Sequence, residues 1–195
     1  RYRRFAVAGL VVLAMGAAVW GMMRGARTAT LVSASGNVVL LRDGKRLPPR
    51  PGTRLVVGDS FIVPASGSAA LSFDKMTVAH VAEQSEAAIA ESCPRSSDGV
   101  ATRQLELTRG SIIVDVGSTR RGHGLIVRTP HAAIDAGKSR YTVGVTLSST
   151  QLSVKMGCVT LIRGGGSSLL TLTAGESTIV GKRESLRTDG KHEKN

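Results

Sequence analysis

The chain has 195 residues, 42% hydrophobic but only 3% aromatic, and 26 Lys and Arg against 14 Asp and Glu give it a net charge of +12. That is the length of one ordinary domain with an appendage. A basic balance raises nucleic acid as a partner, but beyond residue 28 the rings are Phe61, Phe73 and Tyr141 alone, too few for stacking platforms. Zinc-finger spacing and a basic recognition helix are also lacking, so nucleic acid is not expected.

The first element is "FAVAGLVVLAMGAAVWGMM", residues 5–23, nineteen positions without a charge. As a helix it would extend roughly 28 Å, the thickness of a bilayer's hydrocarbon. A buried core helix would keep a polar stripe, and this segment has none. A cleaved signal peptide would end in small residues, whereas this run ends in "MMRGARTAT" with Arg24 and Arg27. A retained single span is therefore expected over residues 1–27, with Tyr2 and Trp20 at its interfaces. Arg1, Arg3 and Arg4 before it against Arg24 and Arg27 after it favour a cytoplasmic N-terminus. The opening Arg leaves room for upstream residues, where a cytoplasmic domain would stand. The remaining 21 basic and 14 acidic residues leave +7 on residues 28–195, suited to anionic headgroups or an acidic partner.

After Arg27 the pattern becomes that of strands. "TATLVSASGNVVLLRDGKRL" is rich in β-branched residues and broken by Gly and Asp-Gly. "KRLPPRPG", residues 45–52, has three prolines and cannot pair as a central strand. Residues 69–74 alternate, "DKM" marks a turn, and residues 77–82 return. "SCPRSSDGVA", residues 92–101, reads as a polar loop, and "RQLELTRGSIIVDVGS" as two short strands around Arg109-Gly110. "TQLSVKMGCVTLIRGGGSSLLTLTAGESTIVG" reads as four more, punctuated at Gly157, at residues 164–166 and at Gly175. Short strands with Gly turns predict an all-β domain, a sandwich or roll, over residues 28–181. Residues 182–195 mix both charges with one apolar residue, Leu186, and read as a disordered tail.

The chemistry-bearing residues do not assemble into a motif. His80, His123, His131 and His192 have no ligand spacing, so neither a metal nor a cofactor site is expected. "IRGGGSSLL" lacks the helix and Lys of a phosphate cradle. Ser139 has no nucleophile elbow around it. Cys93 and Cys158 lack C-x-x-C spacing. In an oxidising compartment they either pair or remain free, since spacing alone does not set their separation.

One stretch, "RTPHAAIDAGKSRYTVGV" at residues 128–145, concentrates the residue types that enzymes use. Its apolar parity is even at Ile134 and Ala136 and odd at Tyr141, Val143 and Val145. A strand cannot change parity and keep its core face unless a residue is inserted. A β-bulge at Gly137 and Lys138 would restore it. Asp135, Lys138, Arg140 and Thr142 then face solvent, while Ser139 and Tyr141 face inward. The candidate acid, base and nucleophile are thus split between two faces, and no catalytic residue is expected.

The same block, with four others in order, resembles the FecR-type periplasmic domain family. "RPGTRLVVGDSFIVPASGSAALSF" is similar to its "G..L..GD.I.T...S.A.L.F", and "LELTRGSIIVDV" to its "L.L..G.l...V". "VRTPHAAIDAGKSRYTVGV" resembles its "V.TPHA...V.GT.F.V.V", and "LSVKMGCVTL" and "LTAGEST" resemble its closing pieces. The resemblance runs from about residue 34 to 180. It departs at Lys138-Ser139, where the family has Gly-Thr, and at Asp74-Lys75, where it has Asp-Gly. It implies an all-β periplasmic domain on a bacterial inner-membrane anchor and transmembrane signalling by contact with a periplasmic protein partner. It also implies control of a sigma factor through a cytoplasmic region not in this chain, with no catalytic residues to transfer. The rival readings are a non-signalling envelope scaffold and an enzyme using His131, Asp135 and Ser139.

Overall fold

The structure is a computed structural model that describes residues 29–94, 101–117, 125–163, 169–181 and 187–188. In chain order the strands begin with β1 (Ala29–Ser35), β2 (Val39–Arg42), β3 (Lys45–Leu47), β4 (Arg54–Leu55) and β5 (Ser60–Val63). They continue with β6 (Ser68–Ser72), β7 (Thr77–Val81), β8 (Ser85–Pro94), β9 (Ala101–Val116) and β10 (Leu125–Arg128). The last five are β11 (Ala132–Val145), β12 (Ser149–Arg163), β13 (Leu169–Thr173), β14 (Ser177–Gly181) and β15 (Arg187–Thr188). The all-β expectation holds among the described residues, all of whose strands join one hydrogen-bonded sheet.

That sheet is organised as two leaves sharing three long strands. The first leaf runs β4-β1-β6-β7, then the second half of β9, the second half of β11, the first half of β12, β14 and β15. The second runs β3-β2-β5-β8, then the first half of β9, β10, the first half of β11, the second half of β12, and β13. β9 and β10 pair in parallel, and β10, β11 and β9 close a hydrogen-bonded circuit. The inward faces of both leaves merge into one core, in which Leu31, Leu71, Val114 and Tyr141 meet Leu40, Phe61, Ile89 and Leu161. Each such fully buried side chain contributes about 1.5–3 kcal/mol.

The shared strands change leaf where their parity changes. In β9 the buried apolar residues are Leu105 and Leu107 and then Ile112, Val114 and Val116. Between them the register with β8 steps from Ala87↔Leu107 to Glu86↔Arg109, inserting Thr108. In β11 the register with β12 steps from Ala136↔Val159 to Ser139↔Gly157, so Gly137 and Lys138 oppose Cys158 alone. In β12 a compensating step from Arg140↔Met156 to Tyr141↔Val154 leaves Lys155 unmatched. Each inserted residue turns the following side chains to the other face and bends its strand.

These bends correct two expectations. Glycine punctuation predicts breaks between short strands at Arg109-Gly110 and at Gly157, but β9 and β12 run continuously through them, over 16 and 15 residues. A glycine inside a strand here allows a bulge rather than ending the pairing. Gly110 (φ +87°) and Gly157 (φ +82°) both adopt the left-handed conformation that other residues enter only at a cost. The turns are otherwise legible: Asp43 and Gly44 both have positive φ, the signature of a type I′ hairpin, and join β2 to β3. The proline-rich stretch leaves only Lys45–Leu47 paired, in a strand whose single partner is β2. Within the stretch read as a tail, Arg187–Thr188 pairs with β14. The expected N-terminal span lies outside the described residues, among which no helix is long and apolar enough to cross a membrane.

Candidate interaction surface

The residues that made residues 128–145 look catalytic are placed apart. Asp135 is half-buried in the strand interval preceding the bulge. Ser139 is fully buried and its hydroxyl donates to the Gly137 carbonyl at 3.0 Å. Gly137 and Lys138 are both exposed. His131 belongs to a polar node at the start of β11. There the Thr129 hydroxyl donates to the Ala132 carbonyl (2.9 Å), the Thr150 hydroxyl donates to Thr129 (2.9 Å), and His131 Nδ1 lies 3.0 Å from Thr150. With Thr150's proton committed, Nδ1 is assigned as the donor. Thr129 also accepts from the Ala132 amide at 3.0 Å. This node closes the turn that admits Pro130, and no carboxylate or nucleophile is among its partners.

Two further polar nodes hold loops. Asp59, fully buried, receives the Arg42 guanidinium on both oxygens at 2.7 Å and the Val56 amide at 3.0 Å. The hydrogen bond that Arg42 donates to Asp59 is the main reason that Arg42 titrates above its ordinary value, burial opposing it. Ser85, also fully buried, accepts from the Ser111 amide at 2.9 Å and so ties the start of β8 to the bend in β9. Cys158 is a free, exposed thiol. Cys93 is on β8, and β9, β10 and β11 stand between that strand and β12. His80 is exposed on β7, and His123 and His192 lie outside the described residues. Among the described residues, no group of three His, Cys, Asp or Glu could hold a metal ion.

A concavity lies at the β9 bend. It is an open groove of about 890 Å³ between the 64–65 turn, Glu83 and Gln84, Arg109 to Ser111, and the β11–β12 hairpin tip. Three left-handed residues surround it: Ser66 (φ 63°), Gln84 (φ 54°) and Gly110. Two of these carry side chains, and such conformations persist only where surrounding bonds impose them. Those bonds are present: the Glu83 carboxylate accepts from the Ser66 amide at 2.7 Å, and the Gln84 amide donates to the Pro64 carbonyl at 3.3 Å. At the opposite wall Leu147 is 100% exposed. Its tip is held by Thr146 and Ser149, whose amides donate to the Ser149 carbonyl (2.9 Å) and the Thr146 hydroxyl (3.1 Å). A fully exposed leucine on a fixed tip beside a groove of mixed apolar and polar lining is suited to a protein segment. Sequence reading missed this groove. Its only local signal is an apolar residue in the "TLSS" tip, since its walls come from four separate stretches.

The described residues form a bent all-β domain with hydrogen-bonded loops and an open groove, and His131, Asp135 and Ser139 are held apart within it. The chain belongs to the family described as FecR protein, whose match spans residues 59–160, just over half of the chain. Two crystal structures share its fold, each described as a "putative anti-sigma factor" from Parabacteroides distasonis ATCC 8503. Both are 20% identical to it and cover 67% of this chain, with TM-scores of 0.54 and 0.53. The chain spans 58% of the length of each of those proteins. Comparison with curated proteins gives no match.

Proposed function

We propose that this chain is a single-span signalling protein of the bacterial inner membrane, N-terminus in the cytoplasm, whose FecR domain acts in the periplasm by contact with another protein. The partner occupies the groove beside Leu147. Its binding biases a change passed along the span to a cytoplasmic region that governs a sigma factor. The chain is not an enzyme in this reading, and no cofactor is required. FecR membership carries the proposal, and it is supported by an apolar side chain held wholly in solvent beside an open groove. A ligand moves such an equilibrium only through a difference in affinity for its two states, so the groove must differ between them.

Two measurements test the reading. A reporter active only in the periplasm, fused after Val180, is expected to be active; a silent fusion places the domain on the other side. RNA profiling of cells with and without the chain is expected to show one coherent gene set changing. An unchanged profile, with the protein inserted and folded, contradicts a regulatory role.

A further inference from the structure

The described chain begins at Ala29 in β1, where Ala29 lies opposite Leu55 and Thr30 opposite Arg54. The N-terminal end of β1 therefore lies on the side of Val56 and Val57. Beside this end of the strand the charge is uneven. Between positions 42 and 54 stand Arg42, Lys45, Arg46, Arg50 and Arg54 against one carboxylate, Asp43. Arg42 is matched by buried Asp59, which leaves Lys45, Arg46, Arg50 and Arg54, all exposed. Pairing brings two of them near each other: Lys45 lies opposite Arg42, whose guanidinium also donates to the Arg54 carbonyl at 2.8 Å, while Arg46 follows Lys45 on β3, whose only partner strand is β2, and projects from the other side of that edge.

The loop bearing Arg50 is stiffened by Pro48, Pro49 and Pro51 and pinned to β1. The Gly52 amide donates to the Leu31 carbonyl (2.8 Å) and the Leu31 amide to the Thr53 carbonyl (2.9 Å). Two exposed apolar side chains share this end of the leaf: Val57, and Met76 in the turn that follows Ser72, itself opposite Thr30. Basic side chains around a few apolar ones match the interface of an anionic bilayer, where each Lys or Arg adds attraction within a Debye length.

From these observations we infer that the basic edge carrying Lys45, Arg46, Arg50 and Arg54 rests on anionic lipid headgroups of the membrane that anchors the chain. The inference rests on the single-span reading of residues 5–23. Five residues separate the end of that run from Ala29, a reach of at most about 20 Å over the six Cα steps. So short a tether holds this edge at a high effective concentration over the surface, and individually weak headgroup contacts then suffice. The groove beside Leu147 is bounded by a different end of the first leaf, since Val145 pairs with Gly110 while Ser139 pairs with Val116. Docking on lipid therefore leaves the groove open.

The test uses the full chain in vesicles of phosphatidylcholine alone or with about 30% phosphatidylglycerol, read by hydrogen exchange of peptides covering residues 45–57. Exchange there is expected to slow by about tenfold in the anionic vesicles only, and to recover in about 0.5 M salt. A variant with all four basic residues changed to Glu is expected to lose the protection while its core peptides exchange as before. Co-flotation with both vesicle types but equal exchange over 45–57 overturns the proposal while the span reading stands. Protection that persists in neutral vesicles or high salt also overturns it, pointing to a protein contact. Failure to float with neutral vesicles overturns the span reading and the proposal together.

Discussion

Gly157 packs against the backbone of Lys138 so closely that a Cβ at Gly157 would overlap the Lys138 carbonyl oxygen and stand 2.9 Å from the Ser139 Cα. The demand for glycine at this bulge thus falls on β12, across the ladder from the inserted residues. Gly157→Ala is expected to destabilise the domain by roughly 2–4 kcal/mol, from the left-handed φ and the overlap together. Gly137, with open space at its Cβ and no left-handed φ, is expected to accept Ala within about 1 kcal/mol. Urea unfolding of the two variants reads the contrast.

The Arg42–Asp59 pair makes a second prediction. Asp59 is wholly buried and the Arg42 side chain is 34% exposed, so removing either partner is unequal. Arg42→Ala strands a buried carboxylate and is expected to cost about 3 kcal/mol. Asp59→Ala leaves Arg42 able to reach solvent, but frees the Val56 amide, and should cost about 2 kcal/mol. The double variant should cost less than the two together; a strictly additive cycle would show that the pair is not coupled.

The register of β11 shows how much was readable in advance. A parity change between Ala136 and Tyr141 is visible in the residues alone, because alternation has only two phases. The register shift found there lies between Ala136 and Ser139. The same reasoning took Arg109-Gly110 and Gly157 as strand ends, because a glycine that stops a strand and one that bends it look alike without the partner strand. The need for glycine at 157 depends on the Lys138 backbone across the ladder, which no local pattern encodes. The groove was illegible for a related reason: Pro64, Gln84, Gly110 and Leu147 are brought together only by the pairing of distant strands.

Tyr141 is fully buried, and its hydroxyl has no hydrogen-bond partner among the described residues. Burial first, and the Asp135 carboxylate second, push its ionisation well above the ordinary phenol range. The phenol stays protonated in the folded state where the unfolded one would ionise, so stability should fall as pH rises above about 10. Tyr141→Phe keeps the ring among Val114 and Val154 while removing an unsatisfied polar atom. The variant is expected to be as stable as the parent or more stable, by up to about 1 kcal/mol. A loss of more than that on thermal unfolding would mean that the hydroxyl is satisfied in solution.

Acid stability should depend on Asp74. Partial burial alone would raise its ionisation, but the Met76 amide at 2.8 Å, Thr77 and the Arg103 guanidinium at 2.5 Å outweigh it and hold the carboxyl below its ordinary value. A carboxyl depressed in the folded state contributes stability that is present above its unfolded value and lost as pH falls through the folded one. Asp74→Asn is therefore expected to be less stable than the parent at neutral pH, by about 0.5–1 kcal/mol for this partly exposed pair. The difference should close below about pH 4. A gap that stays constant down to pH 2 would assign the effect to packing.

The central claim is that this FecR domain works by contact at its groove and not by chemistry at residues 128–145. The most direct measurement compares two full-length variants, each verified as folded and inserted, by RNA profiling in cells. Leu147→Asp places a charge on the exposed tip without touching the core, while the second variant carries alanine at His131, Asp135 and Ser139. Loss of the regulated gene set with Leu147→Asp, and its retention in the triple variant, is the predicted result. Loss in the triple variant with retention in Leu147→Asp would contradict the account.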